Sequence, residues 1–477
     1  MCAIASESRI TAEHVDTANR LRYDEFLLGK LHYSDGDGFD PIWMPDFLFP
    51  FQVRLVDWAI RRGRAAIFAD CGMGKTPMQL VWAQNVHIKT GKPVLIISPL
   101  AVSAQTVEEA EKFGIEAGIS RDGSITAPIV LTNYERLHYF DRDNFGGVVC
   151  DESSAIKNFQ GKHRRQVTEF MRPMRYRLLC TATAAPNDYI ELGTSSEAIG
   201  EMGHMDMLGK FFKNDQGNAD TRSNWAQRGQ HVAKWRFKGH AETAFWRWVA
   251  TWARAIRKPS DYGYDDGQFV LPRLVEQEHL VKARSIKEGF LFEIPAEGLD
   301  EVREEQRRTT EERCEKVAEL CNAGEPVVAW CNLNEEAKLL RKLLPGFTEI
   351  SGSDSPEKKE EAFTQFRHGQ IRGLITKAKI GAWGMNWQHC SHTVLFPSYS
   401  YEQYYQLVRR FWRFGQTKDV QVDIVTTESG HDIMNALHRK SLQADRMFDS
   451  LVQHMNDALK VEIDRNYNKK MEVPSWM

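Results

Sequence analysis

The chain has 477 residues, of which 42% are hydrophobic and 27% are charged, and its formal net charge is −3. This length predicts roughly two to four domains with ample core, and the composition is that of an ordinary soluble globular protein. The nearly balanced charge excludes a basic field over the whole chain, so any binding of nucleic acid has to come from local patches.

Continuous apolar runs separated by helix-like stretches recur along both halves of the chain. Such runs, without alternation, are typical of parallel strands buried on both faces. In the first half they are residues 65–69, 94–98, 129–132, 147–150 and 177–180. In the second half they are residues 327–331, 348–351, 373–376, 393–396 and 420–425. The sequence therefore predicts an α/β fold with two tandem, doubly wound lobes, each built on a parallel sheet.

The pattern breaks between residues 214 and 273, where the chain is polar and rich in tryptophan and arginine. We take this stretch as the end of the first lobe plus a linker. The predicted organisation is an N-terminal segment (1–45), a first lobe (46–213), the tryptophan-rich stretch (214–273), a second lobe (274–432) and a tail (433–477). Apolar residues at helical spacing in the tail predict a helix packed on the second lobe, namely Leu437, Leu442, Met447, Leu451 and Met455.

The first apolar run leads into a loop that looks built for phosphate. Residues 65–76 read Ala-Ala-Ile-Phe-Ala-Asp-Cys-Gly-Met-Gly-Lys-Thr, with Ala69 where the usual motif begins with glycine. Gly72 and Gly74 let backbone N–H groups turn toward an anion, and the helix that follows adds its positive end. Lys75 would reach the β- and γ-phosphates and Thr76 would ligate magnesium. The alternative is a strand–turn–helix corner with a chance Gly-Lys-Thr.

Two carboxylates end a later apolar run and supply the partner that such a loop needs. Asp151 and Glu152 follow residues 147–150 directly. Hydrolysis of a nucleoside triphosphate requires an acid at a strand end to hold magnesium, and a second group to align or deprotonate water. We assign the first task to Asp151 and the second to Glu152.

Further motifs resemble the Swi/Snf family of superfamily 2 ATPases. The family's Asp-Glu-x-His followed by Lys-Asn is similar to residues 151–158, with Ser154 in place of the histidine. Its Thr-Gly-Thr-Pro motif resembles residues 181–184, with Asn187 three residues further on, and its Ile-x-Gly-Ser motif resembles residues 350–353. Its late Gln…Arg-x-x-Arg-x-Gly-Gln motif is matched by Gln406, Arg410, Arg413, Gly415 and Gln416. The particular residues in these motifs most resemble those of compact helicases encoded by bacteriophages.

The resemblance implies roles for individual residues. The two lobes would be RecA-like with an ATP cleft between them, and Arg410 and Arg413 would reach across it as arginine fingers. Gln52 is similar to a glutamine that reads adenine, and Gly384 falls in a motif that touches the ATP cleft. Thr181, Thr183 and Gln406 would couple this cleft to a nucleic-acid track. Track contacts are implied for Ser98, Thr132, Asn133, Lys157, Asn158, Ser351, Thr376 and Asn386.

Two basic stretches fit such a track. Residues 157–177 carry seven Lys or Arg against one acid, and residues 225–258 carry eight against one, with five tryptophans interleaved. Basic and aromatic mixtures can grip phosphates and stack bases. Phe245, Trp248, Val249, Trp252 and Ile256 share one helical face and are expected in the core. Trp246, Arg247, Arg254 and Lys258 point elsewhere and are candidates for substrate contact.

The reading that unites these features is a DNA-stimulated ATPase, using ATP and magnesium, that translocates on or remodels double-stranded DNA in replication, recombination or repair. An RNA or single-strand helicase is the alternative enzyme. A catalytically silent DNA-binding scaffold is the alternative of another class. We expect a cytoplasmic monomer (in the bacterial host if phage-encoded) whose partners include replication or recombination proteins. The cysteines form no CxxC pair and the N-terminus shows no signal-peptide pattern, so neither a disulfide frame, a zinc site nor a membrane segment is expected.

Overall fold

A computed structural model describes residues 37–99, 102–157, 161–185, 188–214, 235–282, 299–322, 324–381, 385–398, 400–427 and 431–467. Within these ranges the chain forms two α/β lobes, each with a parallel sheet at its centre. None of the helices in the described ranges has the length and apolar character needed to span a bilayer.

The first lobe contains a seven-stranded parallel sheet. Its strands are β1 (Arg64–Ala69), β2 (Val94–Ser98), β3 (Ala117–Ile119), β4 (Ile129–Asn133), β5 (Gly147–Asp151), β6 (Tyr176–Thr181) and, later in the chain, β9 (Ala253–Ile256). Their order across the sheet is β3-β4-β2-β5-β6-β1-β9. A separate antiparallel ribbon pairs β7 (Phe212–Asn214) with β8 (Trp235–Phe237).

Helices cover both faces of this sheet. They are α1 (Pro50–Arg62), α2 (Lys75–Thr90), α3 (Ser103–Lys112), α4 (Lys162–Met171), α5 (Leu192–Ile199), α6 (His204–Phe211) and α7 (Ala241–Trp252). Successive residues of β1 alternate between two apolar cores: Ala66 and Phe68 enter one, and Ala65 and Ile67 enter the other. Because both faces of the strand are buried, its sequence is apolar throughout rather than alternating.

The second lobe has a six-stranded parallel sheet in the order β10-β15-β14-β11-β13-β12. Its strands are β10 (Leu274–Leu280), β11 (Val327–Trp330), β12 (Phe347–Glu349), β13 (Gly373–Thr376), β14 (His392–Leu395) and β15 (Val420–Thr426). Its helices are α8 (Leu299–Arg308), α9 (Thr310–Cys321), α10 (Asn334–Leu343), α11 (Pro356–Arg367), α12 (Ala378–Gly381) and α13 (Tyr401–Val408). Two further cores lie on the two faces of this sheet. The predicted fold class, two doubly wound parallel-sheet lobes of the RecA-like kind, is confirmed.

The tail prediction is correct for the helix but only in part for its packing partner. The tail forms α14 (His431–Tyr467), which begins on the second lobe, where Ile433 and Leu437 are buried with Tyr401. Further along, Met447 and Phe448 are buried in a core of the first lobe. The ion pair from Arg257 to Asp445, at 2.9 Å, fixes the helix to the end of the first lobe. The apolar spacing gave the helix but could not identify its partner, because any apolar face satisfies the same pattern.

The tryptophan-rich stretch also needs a correction. Trp248 and Val249 are buried as expected, but Trp246 is completely buried too and stacks on His454 of the tail. Arg254 is buried with its guanidinium carbon 4.2 Å from the ring centre of Trp58. Neither residue is available for substrate contact, whereas Arg247 and Lys258 are exposed. The predicted helical face is also too long. The helix α7 stops at Trp252, and Ile256 lies in β9, so Ile256 does not share a helical face with Phe245.

A buried carboxylate joins three strands of the second lobe. Asp423 on β15 accepts hydrogen bonds from His279 on β10 at 2.8 Å and from His392 on β14 at 2.7 Å. Gln421 donates a third bond at 2.9 Å. Burial alone would raise the pKa of Asp423, but these hydrogen bonds outweigh it and lower that pKa to about 2.

Replacing this carboxylate should therefore cost stability in a pH-dependent way. An aspartate has a pKa of about 3.9 when unfolded, so its contribution of about 2 kcal/mol is complete at neutral pH and is lost as the pH falls from roughly 5 toward 2. Asp423→Asn should lower the free energy of unfolding at pH 7 by about that amount, and the difference from the unchanged protein should shrink in acid. Urea unfolding over a pH series measures both. Asp419→Asn, which changes an exposed aspartate of the same lobe (its side chain is 56% exposed), is the control. Parallel pH profiles for Asp423→Asn and the unchanged protein would contradict the assignment.

Candidate functional site

The predicted phosphate loop lies between β1 and α2. Gly72 and Gly74 have φ angles of 91° and 77°, a left-handed conformation that favours glycine. A Cβ atom on Gly74 would lie 2.1 Å from the side-chain nitrogen of Gln52, so a larger residue there would displace the Gln52 amide. Lys75 begins α2 and its ammonium donates to the carbonyl of Ala69 at 3.1 Å. The loop thus presents a helix N-terminus and a lysine at the carboxyl end of a buried strand, which fits a phosphate cradle.

Gln52 holds this loop through hydrogen bonds of its side chain. It lies in the first turn of α1, is 3% exposed, and donates to the carbonyl of Met73 at 3.0 Å. Its side-chain oxygen accepts from the backbone N–H of Phe49 at 3.0 Å. Gln52 therefore connects the start of α1 with the phosphate loop, and adenine recognition by it stays a prediction. Gly384, the other residue expected near the nucleotide, lies outside the described residues.

The two predicted acids stand beside the loop. Asp151 is the last residue of β5, and its carboxylate accepts from Gln79 on α2 at 2.6 Å. Glu152 follows with φ 50° and ψ 53°, the one left-handed non-glycine residue in the described part of the chain. Such a conformation costs of order 1 kcal/mol or more and is concentrated at functional sites. Here it turns the chain at the strand end and leaves both acids buried.

Burial has an electrostatic consequence for this pair. Loss of solvent, followed by the charge of Glu152, raises the pKa of Asp151 to about 6. Two adjacent carboxylates in a poorly solvated place repel each other, and a cation would relieve that repulsion. Thr76, on the first turn of α2, and Asp151 supply a hydroxyl and a carboxylate oxygen, the ligand types that magnesium prefers. The residues present therefore fit a magnesium-bound nucleotide.

A line of side chains runs from Glu152 into the second lobe. The hydroxyl of Thr181 donates to the carboxylate of Glu152 at 3.4 Å, and the backbone N–H of Thr183 donates to the hydroxyl of Thr181 at 3.0 Å. Gln406 on α13 then donates to the hydroxyl of Thr183 at 3.5 Å. The three residues expected to couple the ATP cleft to a nucleic-acid track are thus brought together with Glu152, and their coupling role stays a prediction. Asn187, which follows the same motif, lies outside the described residues.

The two candidate arginine fingers are in different positions. Arg410 is 2% exposed, and its guanidinium donates to Gln406 and to the carbonyl of Met385, all within the second lobe. Arg413 is partly exposed, and its Nε atom is buried without a hydrogen-bond partner. The next residue, Phe414, reaches the first lobe: its backbone nitrogen lies 2.7 Å from where a Cβ of Gly72 would be. The backbone next to Arg413 therefore lies at the edge of the phosphate loop, but the Arg413 guanidinium donates to the carbonyl of Met385 at 3.4 Å, the same acceptor that Arg410 uses. Arg410 is buried close enough to Cys71 and Glu152 of the first lobe to interact with them electrostatically.

Aromatic side chains from both lobes pack together beside the phosphate loop. The ring of Phe414 stacks on Phe269 at 4.6 Å between centres, and Phe49 meets both rings edge-on. Sequence reasoning missed Phe414 and Phe269 because single phenylalanines carry no pattern that separates core from interface. The signal that could have found Phe414 is its position next to a candidate finger.

Several predicted track residues lie at the carboxyl ends of parallel strands. Ser98 ends β2, Asn133 ends β4 and Thr376 ends β13. Each has a local hydrogen bond in this structure: Ser98 with Ser103, Asn133 with the N–H of Arg136, and Thr376 with the carbonyl of Ile350. These positions agree with the expected edge of each sheet, and their contacts with nucleic acid stay predictions.

The remaining track candidates have mixed surroundings. Ser351 lies just beyond β12 and its hydroxyl contacts Ser353 at 3.1 Å. Buried side-chain oxygens of Thr132 and Asn386 have no hydrogen-bond partner. Lys157 forms an ion pair across the lobes with Glu402. Asn158 lies outside the described residues.

Part of the first basic stretch is committed within the protein. Arg164 pairs with Glu197, Arg165 pairs with Glu169 at 2.9 Å, and Arg177 is 5% exposed. Arg172 and Arg175 are exposed. A count of positive residues therefore overstates the charge that this stretch offers to a ligand.

Comparison with known proteins adds independent information on the second lobe. Residues 312–415 match the family model described as the helicase conserved C-terminal domain. This range includes Gln406, Arg410 and Arg413, and it ends at Gly415. The second lobe is therefore helicase-like, and the pairing of such a lobe with a phosphate loop indicates a helicase-like ATPase.

Two individual proteins are also similar. Over 169 residues the chain is 25% identical to "Putative protein p41" of Acyrthosiphon pisum secondary endosymbiont phage 1, a match that covers 30% of this chain and 37% of that relative. Among solved structures, a Sulfolobus solfataricus SWI2/SNF2 ATPase core in complex with dsDNA is 16% identical, with a TM-score of 0.39. That match covers 88% of this chain and 96% of the solved one.

The different settings of the two arginines predict different effects of truncation. Arg413→Ala should lower ATP turnover at least a hundredfold with little change in ATP affinity or thermal stability, because a finger acts mainly in the transition state. Arg410→Ala should lower turnover and also destabilise the second lobe by about 2 to 4 kcal/mol, because it removes a buried guanidinium that satisfies three acceptors. Steady-state kinetics and thermal melts separate the two. Full turnover in Arg413→Ala would remove it from the finger role.

Proposed function

We propose that this protein is an ATP-dependent motor on nucleic acid, which hydrolyses ATP between its lobes and translocates on or remodels double-stranded DNA. The observation that carries the proposal is the line from Glu152 through Thr181 and Thr183 to Gln406. It connects an acid beside a phosphate loop with a helicase-like lobe, so a change at one can be transmitted to the other.

Hydrolysis would divide between the lobes. Lys75 and the N–H groups around Gly72 and Gly74 would hold the β- and γ-phosphates. Magnesium, held by Thr76 and Asp151, would neutralise charge on the phosphates. Glu152 would orient water and accept its proton, and Arg413 from the second lobe would stabilise the charge that develops on the transferred group, an effect of ~10³–10⁵ in rate where measured.

Coupling to movement would follow from this division. Glu152 and Arg413 belong to different lobes, so the complete site exists only when the lobes are docked. Release of the products would then remove the contacts that the bound nucleotide makes with both lobes, and the lobes could separate. Ser98, Asn133 and Thr376 lie at the carboxyl ends of strands in the two sheets. Residues at these ends would alternately bind and release the phosphate backbone of the nucleic acid.

Duplex DNA is favoured over RNA by the sequence motifs that resemble Swi/Snf ATPases, namely the Lys157-Asn158 pair after the acids and the Gly415-Gln416 pair after the arginines. The resemblance likewise favours translocation or remodelling over strand separation. Work in replication, recombination or repair, with proteins of those pathways as partners, is the biological role that fits.

A panel of ATPase assays tests the proposal. Turnover should rise severalfold or more with duplex DNA and less with single-stranded DNA or RNA, and a triplex-displacement assay should report movement along the duplex. Stimulation by RNA alone would favour an RNA helicase. No phosphate release above that of Lys75→Ala with any nucleic acid would instead indicate a silent scaffold.

Substitutions at the two key groups of the first lobe should have separable effects. Lys75→Ala should abolish turnover and weaken ATP binding, because the phosphates lose their fixed cation. Glu152→Gln should abolish turnover but spare ATP binding, because it removes the base without adding bulk. Direct binding of a fluorescent ATP analogue, compared with phosphate release, distinguishes them. Near-normal turnover in Glu152→Gln would refute its role.

A further inference from the structure

One helix of the second lobe makes polar contacts with three functional segments of the first. Glu402, Tyr405, Gln406 and Arg409 occur at spacings of three and four residues along and just beyond α13, so they share one face. Glu402 pairs with Lys157, Gln406 contacts Thr183, and both Tyr405 and Arg409 bind one carboxylate. We call these four residues the docking stripe.

That carboxylate is Asp70, which belongs to the phosphate loop itself. One oxygen of Asp70 accepts from Arg409 at 2.8 Å, and the other accepts from the hydroxyl of Tyr405. The side chains of Asp70 and Arg409 are 11% and 12% exposed. The pair is thus largely shielded from water, where opposite charges interact more strongly than at the surface.

An acid at this position needs a physical reason. The loop is arranged to attract the negative phosphates of a nucleotide, and an unpaired carboxylate next to it would repel them. Asp70 also contributes to the loop's geometry, since its backbone carbonyl accepts from Met73 at 3.1 Å and its carboxylate accepts from the N–H of Cys71 at 2.6 Å. The acid therefore shapes the loop at an electrostatic cost that Arg409 offsets.

We propose that Arg409 neutralises Asp70 when the lobes dock, while Tyr405 donates a hydrogen bond to the same carboxylate, so that the affinity of the phosphate loop for ATP depends on docking. Both are positioning residues. The inference rests on the proposed function. With the lobes apart, the acid weakens ATP binding; with the docking stripe in place, the loop regains its positive character. Binding of ATP consequently favours docking by the same factor, because linkage is reciprocal.

Direct ATP binding by the full chain tests this, with a fluorescent ATP analogue as probe. Arg409→Gln should weaken ATP binding about tenfold, which corresponds to about 1.4 kcal/mol, and Tyr405→Phe should weaken it less. The decisive variant is Asp70→Asn combined with Arg409→Gln. It should bind ATP at least about threefold more tightly than Arg409→Gln alone, because removing the acid removes the need for its cation.

A matched control exists on the outer surface. Arg367 on α11 forms another ion pair between the lobes, with Glu108 on α3 at 2.6 Å, but it lies outside the docking stripe and Glu108 is 54% exposed. Arg367→Gln should leave ATP affinity within about twofold, because exposed pairs contribute little. If Arg367→Gln and Arg409→Gln weaken binding equally, the effect is loss of docking in general and the proposal fails.

Other outcomes are equally clear. If Arg409→Gln leaves ATP binding unchanged in a protein that hydrolyses ATP, the inference is wrong and the proposed function stands. If the double variant binds as weakly as Arg409→Gln, the pair has only a structural role, which also overturns it. If the unchanged protein binds no ATP, both are wrong. Thermal melts identify a misfolded variant, and Tyr405→Phe, which removes one hydroxyl, then carries the test.

Discussion

Among the contacts that join the two lobes, which include the pairs Lys157–Glu402 and Arg367–Glu108, the one between Asp70 and Arg409 involves the phosphate loop itself. It is a shielded ion pair that joins the phosphate loop to the helicase-like lobe. Breaking such a pair without separating both charges into water leaves an uncompensated charge, which is costly. The lobes are therefore expected to have discrete docked and separated arrangements rather than a continuous range.

The parallel sheets explain why the functional residues meet at all. Ala69, Ser98, Asn133, Asp151 and Thr181 each end a strand of the first sheet, and parallel strands bring all their carboxyl ends to one edge. The segments that follow β1, β5 and β6 contact the docking stripe. Residues separated by more than a hundred positions in the chain thereby form one surface. The fold provides the location, and the side chains at the strand ends provide the chemistry.

Much of this could be predicted from sequence, for a clear reason. Strands buried on both faces are apolar throughout, so β2 and β13 were predicted with their observed bounds. The strand β10 was missed because its sequence, Leu-Val-Glu-Gln-Glu-His-Leu, belongs to an edge strand that is largely solvated. The loop glycines and the acids were found because their chemistry requires particular residue types at particular spacings.

Long-range contacts escaped prediction because the sequence does not encode partners locally. Arg409 is next to Arg410 in the sequence, and the motif spacing indicated Arg410 as the family's arginine. Only the fold shows that Arg409 binds Asp70 of the first lobe, whereas Arg410 donates to the carbonyl of Met385 in its own lobe. Trp246 carried the features of a base-stacking residue yet is covered by the tail helix. Similarly, the positive charge of residues 157–177 is reduced by ion pairs with acids elsewhere in the chain.

The path of α14 restricts how the lobes can move. The chain passes from the first lobe to the second after β9 and returns along α14, where Phe448 is buried in the first lobe and Ile433 in the second. The two lobes are thus joined by two covalent connections, the segment after β9 and the helix α14. Two connections of this kind would favour rotation of one lobe about the line that joins them, and would resist sliding or full detachment.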